Sequence, residues 1–238
     1  MDGTDIGWYL SSSGASEGGA MSATPITSAV DNNVFPDVSD SSRVAGGEMI
    51  RKIFMANDHA IDSYAAHAIW IEPALTHSTG YIGLGFDDAD DDETDAGALT
   101  TFSGAAKVSL RSDAADTRAV DVYGLVGGTP TKETMTLNGA AEVLSTATFD
   151  AGRVYGLHTT VSGSRIITIK EGAGGTTRGT IGIGYASIFL WITATSKSVG
   201  LRLPLLAAGS GDGIWQKVVW SPAAVAGAQD LPLATEAL

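Results

Sequence analysis

The residues of this chain with the strongest claim to chemistry form an acidic run, DDADDDETD, from Asp87 to Asp95. Hard divalent cations collect carboxylate oxygens, so Asp88, Asp90 and Asp92 are the candidate ligands of a calcium site. The spacing does not fit an EF-hand. With those three as the first ligands, Glu93 stands where the sharp turn needs glycine, and Leu99 stands where the bidentate glutamate belongs. A solvated acidic loop is therefore the expectation, with an irregular cation site as its alternative.

Other catalytic patterns are missing. His59, His67, His77 and His158 form no HExxH motif and no fixed pairing with a carboxylate. Cysteine is absent, which removes thiolate zinc sites, cysteine nucleophiles and disulfide frameworks. There is no GxSxG elbow, and EGAGGTTRGT lacks the lysine of a phosphate-binding loop. GIGYAS, Gly182 to Ser187, lacks the third glycine of a dinucleotide fingerprint and would open a strand. The expectation is a protein without enzymatic activity or cofactor. Among the tryptophans, Trp70, Trp191 and Trp220 lie in apolar runs and read as core. Trp8 and Trp215 are flanked by glycine or polar residues, and are the candidates for a surface on which sugars stack.

The elements that must position these residues are strands. Val120, Val122 and Val126 alternate with Asp121, Tyr123 and Leu125, the period of two of a strand with unlike faces. Gly127-Gly128-Thr129-Pro130 turns the chain, and Thr131–Leu137 returns it. Asn138-Gly139 then signals a second hairpin. A three-residue connection including Ala140 sets Met135 against Val143, Leu137 against Ala141 and Thr136 against Glu142, which leaves one face apolar. Further strands are expected at 49–57, 66–71, 80–86, 153–158, 164–170, 180–185, 187–193, 199–203 and 214–220, with a link near 103–118 and a long turn over 171–179. Over 57–71, strand and helix compete: Ile61, Tyr64, Ala65, Ala68 and Ile69 share one helical face, with Asn57 available as a cap.

Composition agrees with many short strands. Glycine makes up 30 of 238 residues, and charged residues are 17%, against about 25% in ordinary domains. A formal net charge of −13 disfavours direct contact with nucleic acid or an anionic membrane, because either needs a basic patch. No run of about 18 apolar residues and no leader pattern occurs, so the expectation is a soluble chain, made in the cytoplasm or released by lysis. The fold class read from these features is mainly β, with one or more β-sandwich or jelly-roll-like domains and an extended N-terminal arm. The boundaries read as an arm over 1–47, a β-domain over 48–110 completed by 187–220, an inserted hairpin-rich module over 111–186, and a tail over 221–238. The arm holds few large apolar side chains. Its order would have to be borrowed from a surface already in place, either its own β-domain or a neighbouring subunit, with Val34, Phe35 and Val38 as anchors and a homo-oligomer or a shell beneath as the expected partner.

Two stretches resemble parts of tailed-bacteriophage virion proteins. In the first, Leu10-Ser11, Gly18-Gly19-Ala20, Ser22, Phe35-Pro36-Asp37-Val38, Gly47, Arg51 and Asn57 resemble a recurring phage pattern of similar order. In the second, GTPTKETMTLNGAAEVLSTATF is similar to β-modules of phage particles built on a T-L-N-G hairpin. The resemblance implies strand over helix at 58–71. It also implies a structural role in the virion, with other capsid or tail subunits as partners. Because negative charge disfavours facing packaged DNA, an outer-shell capsid decoration or cement protein is the expectation. A tail, baseplate or fibre-attachment component, or a carbohydrate-binding adhesion module, is the alternative.

Overall fold

In the computed structural model of the protein, the described residues are 5–12, 18–27, 34–71, 80–87, 99–159, 162–222 and 233–238. The alternating patterns resolve into a mainly β fold of the β-sandwich type. In chain order the elements are β1 (Ile6–Ser11), β2 (Met21–Pro25), α1 (Asp40–Ala45), β3 (Gly47–Asn57), β4 (His67–Ile71), β5 (Gly80–Phe86), β6 (Val108–Ser112), β7 (Ala119–Val126) and β8 (Thr129–Thr136). They continue as β9 (Val143–Leu144), β10 (Val154–Thr159), β11 (Ile167–Glu171), β12 (Thr177–Ile181), β13 (Ser187–Phe189), β14 (Leu201–Leu203), β15 (Gly211–Trp220) and β16 (Leu233–Ala237).

The chain divides into two units. The first comprises Met1–Leu84, Ile192–Leu201 and Leu205–Leu238, and the second Gly85–Trp191 with Arg202–Pro204. An inserted module was expected over 111–186, and the insertion in fact begins at Gly85. The physical reason is β6: Val108 and Leu110 are buried while Arg111 is exposed, and β6 pairs with β11 from Ile167↔Ser112 to Glu171↔Val108. Residues read as a link are thus a strand of the insert.

The first unit is built on a five-stranded sheet of order β2-β1-β3-β15-β5 and on the antiparallel pair β4-β16. The long ribbon β3–β15 stays in register from Gly211↔Ala56 to Trp220↔Gly47, whereas β1 covers β3 only from Ile6↔Asn57 to Leu10↔Ile53. Accordingly Ile53 to Asn57 are buried and Gly47 to Arg51 are not. Residues 6–11 and 21–25, read as part of an extended arm pinned by its own β-domain or by a neighbouring subunit, are strands of the unit's own sheet. The edge strand β2 is blunted by Pro25, which has no N–H to offer a further strand.

The segment 58–66 is not helical. Instead of capping a helix, Asn57 donates through Nδ2 to the carbonyls of Asp62 (2.9 Å), Leu206 (3.3 Å) and Ala207 (3.3 Å), while its Oδ1 accepts from the His59 N–H (3.1 Å). One buried amide thus ties two loops together, and β4 follows at His67. Residues 233–237, expected to be tail, pair with β4 as β16.

The second unit is a sandwich of two antiparallel four-stranded sheets, of order β13-β10-β7-β8 and β12-β11-β6-β9. Its core takes Val108, Leu110, Ile167 and Ile169 from one sheet and Val120, Val122, Tyr155 and Leu157 from the other. Burial of such side chains contributes about 1.5–3 kcal/mol each. Gly127 and Gly128 take φ of +57° and +80° in a two-residue loop joining Val126 to its partner Thr129, the left-handed pair that tight hairpins require.

The Asn138-Gly139 hairpin forms differently from the expectation. Asn138 bridges Ala141 around Gly139-Ala140, a two-residue loop, and β9 then leaves β8 to pair with β6 through Ser109↔Leu144 and Leu110↔Val143. The expected pairing of Met135 with Val143 does not occur. The Glu142 carboxylate explains the departure: it accepts from Ser109 Oγ (2.6 Å) and the Gly174 N–H (3.1 Å), which holds this stretch on the opposite sheet.

Candidate assembly surface

Of the three expected anchors, Val34 and Phe35 are half-buried and Val38 is exposed at 38%. They lead into α1, which begins where Ser39 can cap it: Ser39, at φ −61° and ψ 153°, accepts the Ser42 N–H at 3.2 Å. Six residues are too few for a helix to persist unaided. What holds α1 is the end of β15, where the Trp220 indole N–H donates to the Ser42 carbonyl at 3.0 Å. At the helix C-cap, Gly46 has φ +78°, and a Cβ there would lie 2.8 Å from Pro222 Cδ. The segment is thus fastened at its C-terminal end, while Val38 and Val44, the latter 60% exposed, face solvent.

The two candidate sugar-stacking residues separate. Trp8 is half-buried in β1 opposite Met55. Trp215 is 0% exposed, so it is a core residue, and its candidacy as a glycan contact is withdrawn. The polar flank that suggested exposure misleads because Gln216 is buried as well. Trp215 opposes Lys52 across the β3–β15 ribbon, and the Lys52 ammonium lies 5.4 Å from the Trp215 ring centroid and 5.4 Å from that of Phe54. Lys52, fully buried, was not singled out from the sequence. Its signal is a lysine that directly precedes the apolar run Ile53–Ala56.

The histidines do not converge on a metal. His59 Nδ1 accepts from the Ile61 and Asp62 N–H groups at 3.3 and 2.7 Å and so shapes a loop. His67 is buried, and burial lowers its pKa to about 4, so it is neutral near pH 7. Its Nε2 lies 3.6 Å from an Asp212 carboxylate oxygen, beyond hydrogen-bonding distance. His158 is half-buried in β10. His77, Asp88, Asp90 and Asp92 lie outside the described residues. Among the described residues, no group of three His, Cys, Asp or Glu side chains is placed to hold a metal ion.

In the second unit the carboxylates act as loop latches. Asp150 accepts the N–H groups of Gly127 (3.0 Å) and Gly128 (2.8 Å), closing over the β7–β8 turn. Glu133 accepts those of Thr146 (2.6 Å) and Ala147 (3.0 Å). Glu171 accepts those of Ser103 (3.1 Å) and Gly104 (2.7 Å) and also receives Arg178 Nε at 2.7 Å. Burial alone would raise the Glu171 pKa, but these donors bring it down to about 2. For Asp116 the Arg118 guanidinium is the leading cause of a lowered pKa. Each acid is consumed by main-chain donors or an arginine of its own unit, an arrangement that stiffens loops and leaves no free general base among the four.

The chain matches no family model, no curated protein and no solved structure.

Proposed function

We propose that the protein is a non-enzymatic structural component of a tailed-bacteriophage virion, and within it an outer-shell capsid decoration or cement protein. The observation that carries this reading is the segment from Val34 to Gly46. A short helix that could not stand alone is clamped by Trp220 and Pro222, and it holds Val38 and Val44 out to solvent. Apolar side chains displayed from a fixed segment suit docking against a protein surface. The carboxylate latches fit a scaffold whose loops must keep their shape. The net charge of −13 suits a position away from packaged DNA.

The test is binding of fluorescently labelled protein to phage particles, followed by electron microscopy. Wild-type protein is expected to decorate the capsid surface, and Val38→Asp/Val44→Asp protein, folded by circular dichroism, is expected not to. Label confined to the tail or baseplate would replace the capsid reading with the alternative. Absence of binding to any part of the particle would end the virion reading.

A further inference from the structure

Strand β16 lies along one edge of β4, and the two strands differ in how they are buried. All five residues of β4 are buried, whereas in β16 Leu233 and Thr235 are half-buried and Glu236 and Ala237 are exposed, as is Leu238 beyond them. The register is unbroken, from Leu233↔Ile71 through Thr235↔Ile69 to Ala237↔His67, and the Leu238 N–H extends it to the Ala66 carbonyl at 2.7 Å. That last bond directs the main-chain groups of Ala66, Ala68 and Trp70 at β16, by the alternation of antiparallel pairs. A side-chain tie comes from Lys197, which reaches Glu236 at 2.9 Å and the Ala237 carbonyl at 3.2 Å, and both charged side chains are solvated. Exposed pairs of this kind hold a strand weakly.

Two consequences follow. The edge of β4 cannot remain bare, since buried main-chain donors and acceptors require partners. Its partner, however, is recognised mainly through main-chain bonds, and an identical strand from another copy of this chain supplies the same bonds. We propose that β16 is an exchangeable strand, and that the edge of β4 is a docking site for the C-terminal strand of a second copy. The fit of that occupant is given by the intramolecular register itself. Residues 223–232 connect Pro222 to β16, and a segment tethered by a short linker meets its site at an effective concentration on the order of millimolar. In dilute solution each chain fills its own edge. Where copies are held side by side, strands from neighbours compete on equal terms, and exchange links subunits without any new interface. This inference does not rest on the virion reading, and it is tested with purified protein alone.

The absence of cysteine makes the test clean. Thr235 and Ile69 are a non-hydrogen-bonded pair, the closer of the two kinds across an antiparallel ladder, with a separation suited to a disulfide. A chain carrying both Ile69→Cys and Thr235→Cys, oxidised in dilute solution, is expected to give a cross-linked monomer. Ile69→Cys chains and an equal amount of mass-tagged Thr235→Cys chains, unfolded together and refolded at roughly millimolar protein, are expected to put about a quarter of the Ile69→Cys chains into a heterodimer, because tethered and free strands are then evenly matched and about half of the free strands carry the cysteine. Ile69→Cys mixed with Leu238→Cys, which is off register, sets the background. A heterodimer no more abundant than that background would overturn the proposal, as would a double variant that fails to close on itself. If Ile69→Cys chains do not fold, the neighbouring pair Ile71→Cys and Leu233→Cys serves in their place.

Discussion

Neutralising Glu171 should cost the second unit a measurable part of its stability. Its carboxylate gathers the N–H groups of Ser103 and Gly104, the Ser103 hydroxyl and both Nε and Nη2 of Arg178, and the side chain is 12% exposed. A pKa that falls from 4.5 to about 2 on folding corresponds to a ceiling of ~3.5 kcal/mol, at about 1.4 kcal/mol per pKa unit. Glu171→Gln keeps the shape but removes the charge, and it turns one acceptor into an NH2 group facing donors. The expected loss is about 2–3 kcal/mol at neutral pH, or about 5–10 °C in Tm for a chain of this size. The pH dependence follows from the direction of the shift. A depressed carboxyl stabilises fully above its unfolded pKa, here 4.5, and ceases to do so as pH falls through its folded value of about 2. Urea titrations of both proteins, followed by tryptophan fluorescence and circular dichroism, should therefore diverge most at neutral pH, draw together below about pH 4.5 and coincide near pH 2. A Glu171→Gln protein within about 0.5 kcal/mol of wild type at pH 7 would refute the latch as a source of stability.

The buried His67 gives the first unit its own pH dependence. Its pKa is lowered from 6.5 to about 4, so its contribution is full above 6.5 and is lost as pH falls towards 4; His67→Phe should flatten the urea midpoint across that window. Trp220→Phe removes the indole donor that holds Ser42, and limited proteolysis within residues 34–46 should accelerate while global stability falls by about 1 kcal/mol. Trp215→Ala should destabilise the first unit by about 3–5 kcal/mol in urea unfolding, because it empties a core position and strips one ring from the Lys52 ammonium.

Local patterns were legible where the chain decides its structure over a few residues. The Gly127-Gly128 turn, the alternation of Ile167 and Ile169, and the apolar runs of β3 and β15 all appear at or near their expected places. Asn138-Gly139 was read correctly as a turn and wrongly as a β8–β9 hairpin, since the partner of β9 is chosen by β6, a strand more than thirty residues earlier. The latches were illegible for the same reason. Glu171 holds Ser103 and Gly104 across 68 and 67 residues, and nothing in the local sequence around either end marks the other. Trp215 shows a subtler failure: a tryptophan followed by glutamine and lysine looks exposed, but a central strand buries both of its faces there. Neither α1 nor its fastening was anticipated, because the Trp220–Ser42 bond that holds this short helix joins residues far apart in sequence.

The ribbon β3–β15 sets the order in which the molecule can be made. Its partners are separated by roughly 150 residues or more, and the whole of Gly85–Trp191 lies between them. As the chain leaves the ribosome, β3 must wait with one edge open until β15 arrives, and β4 waits longer still for β16. The second unit, nearly continuous in sequence, can close while the first is still incomplete. Synthesis therefore imposes a sequence in which the insert is finished first and the host is sealed last, at its C-terminal strand. A ribosome stalled before Gly211 would hold a folded insert on an unfinished sheet.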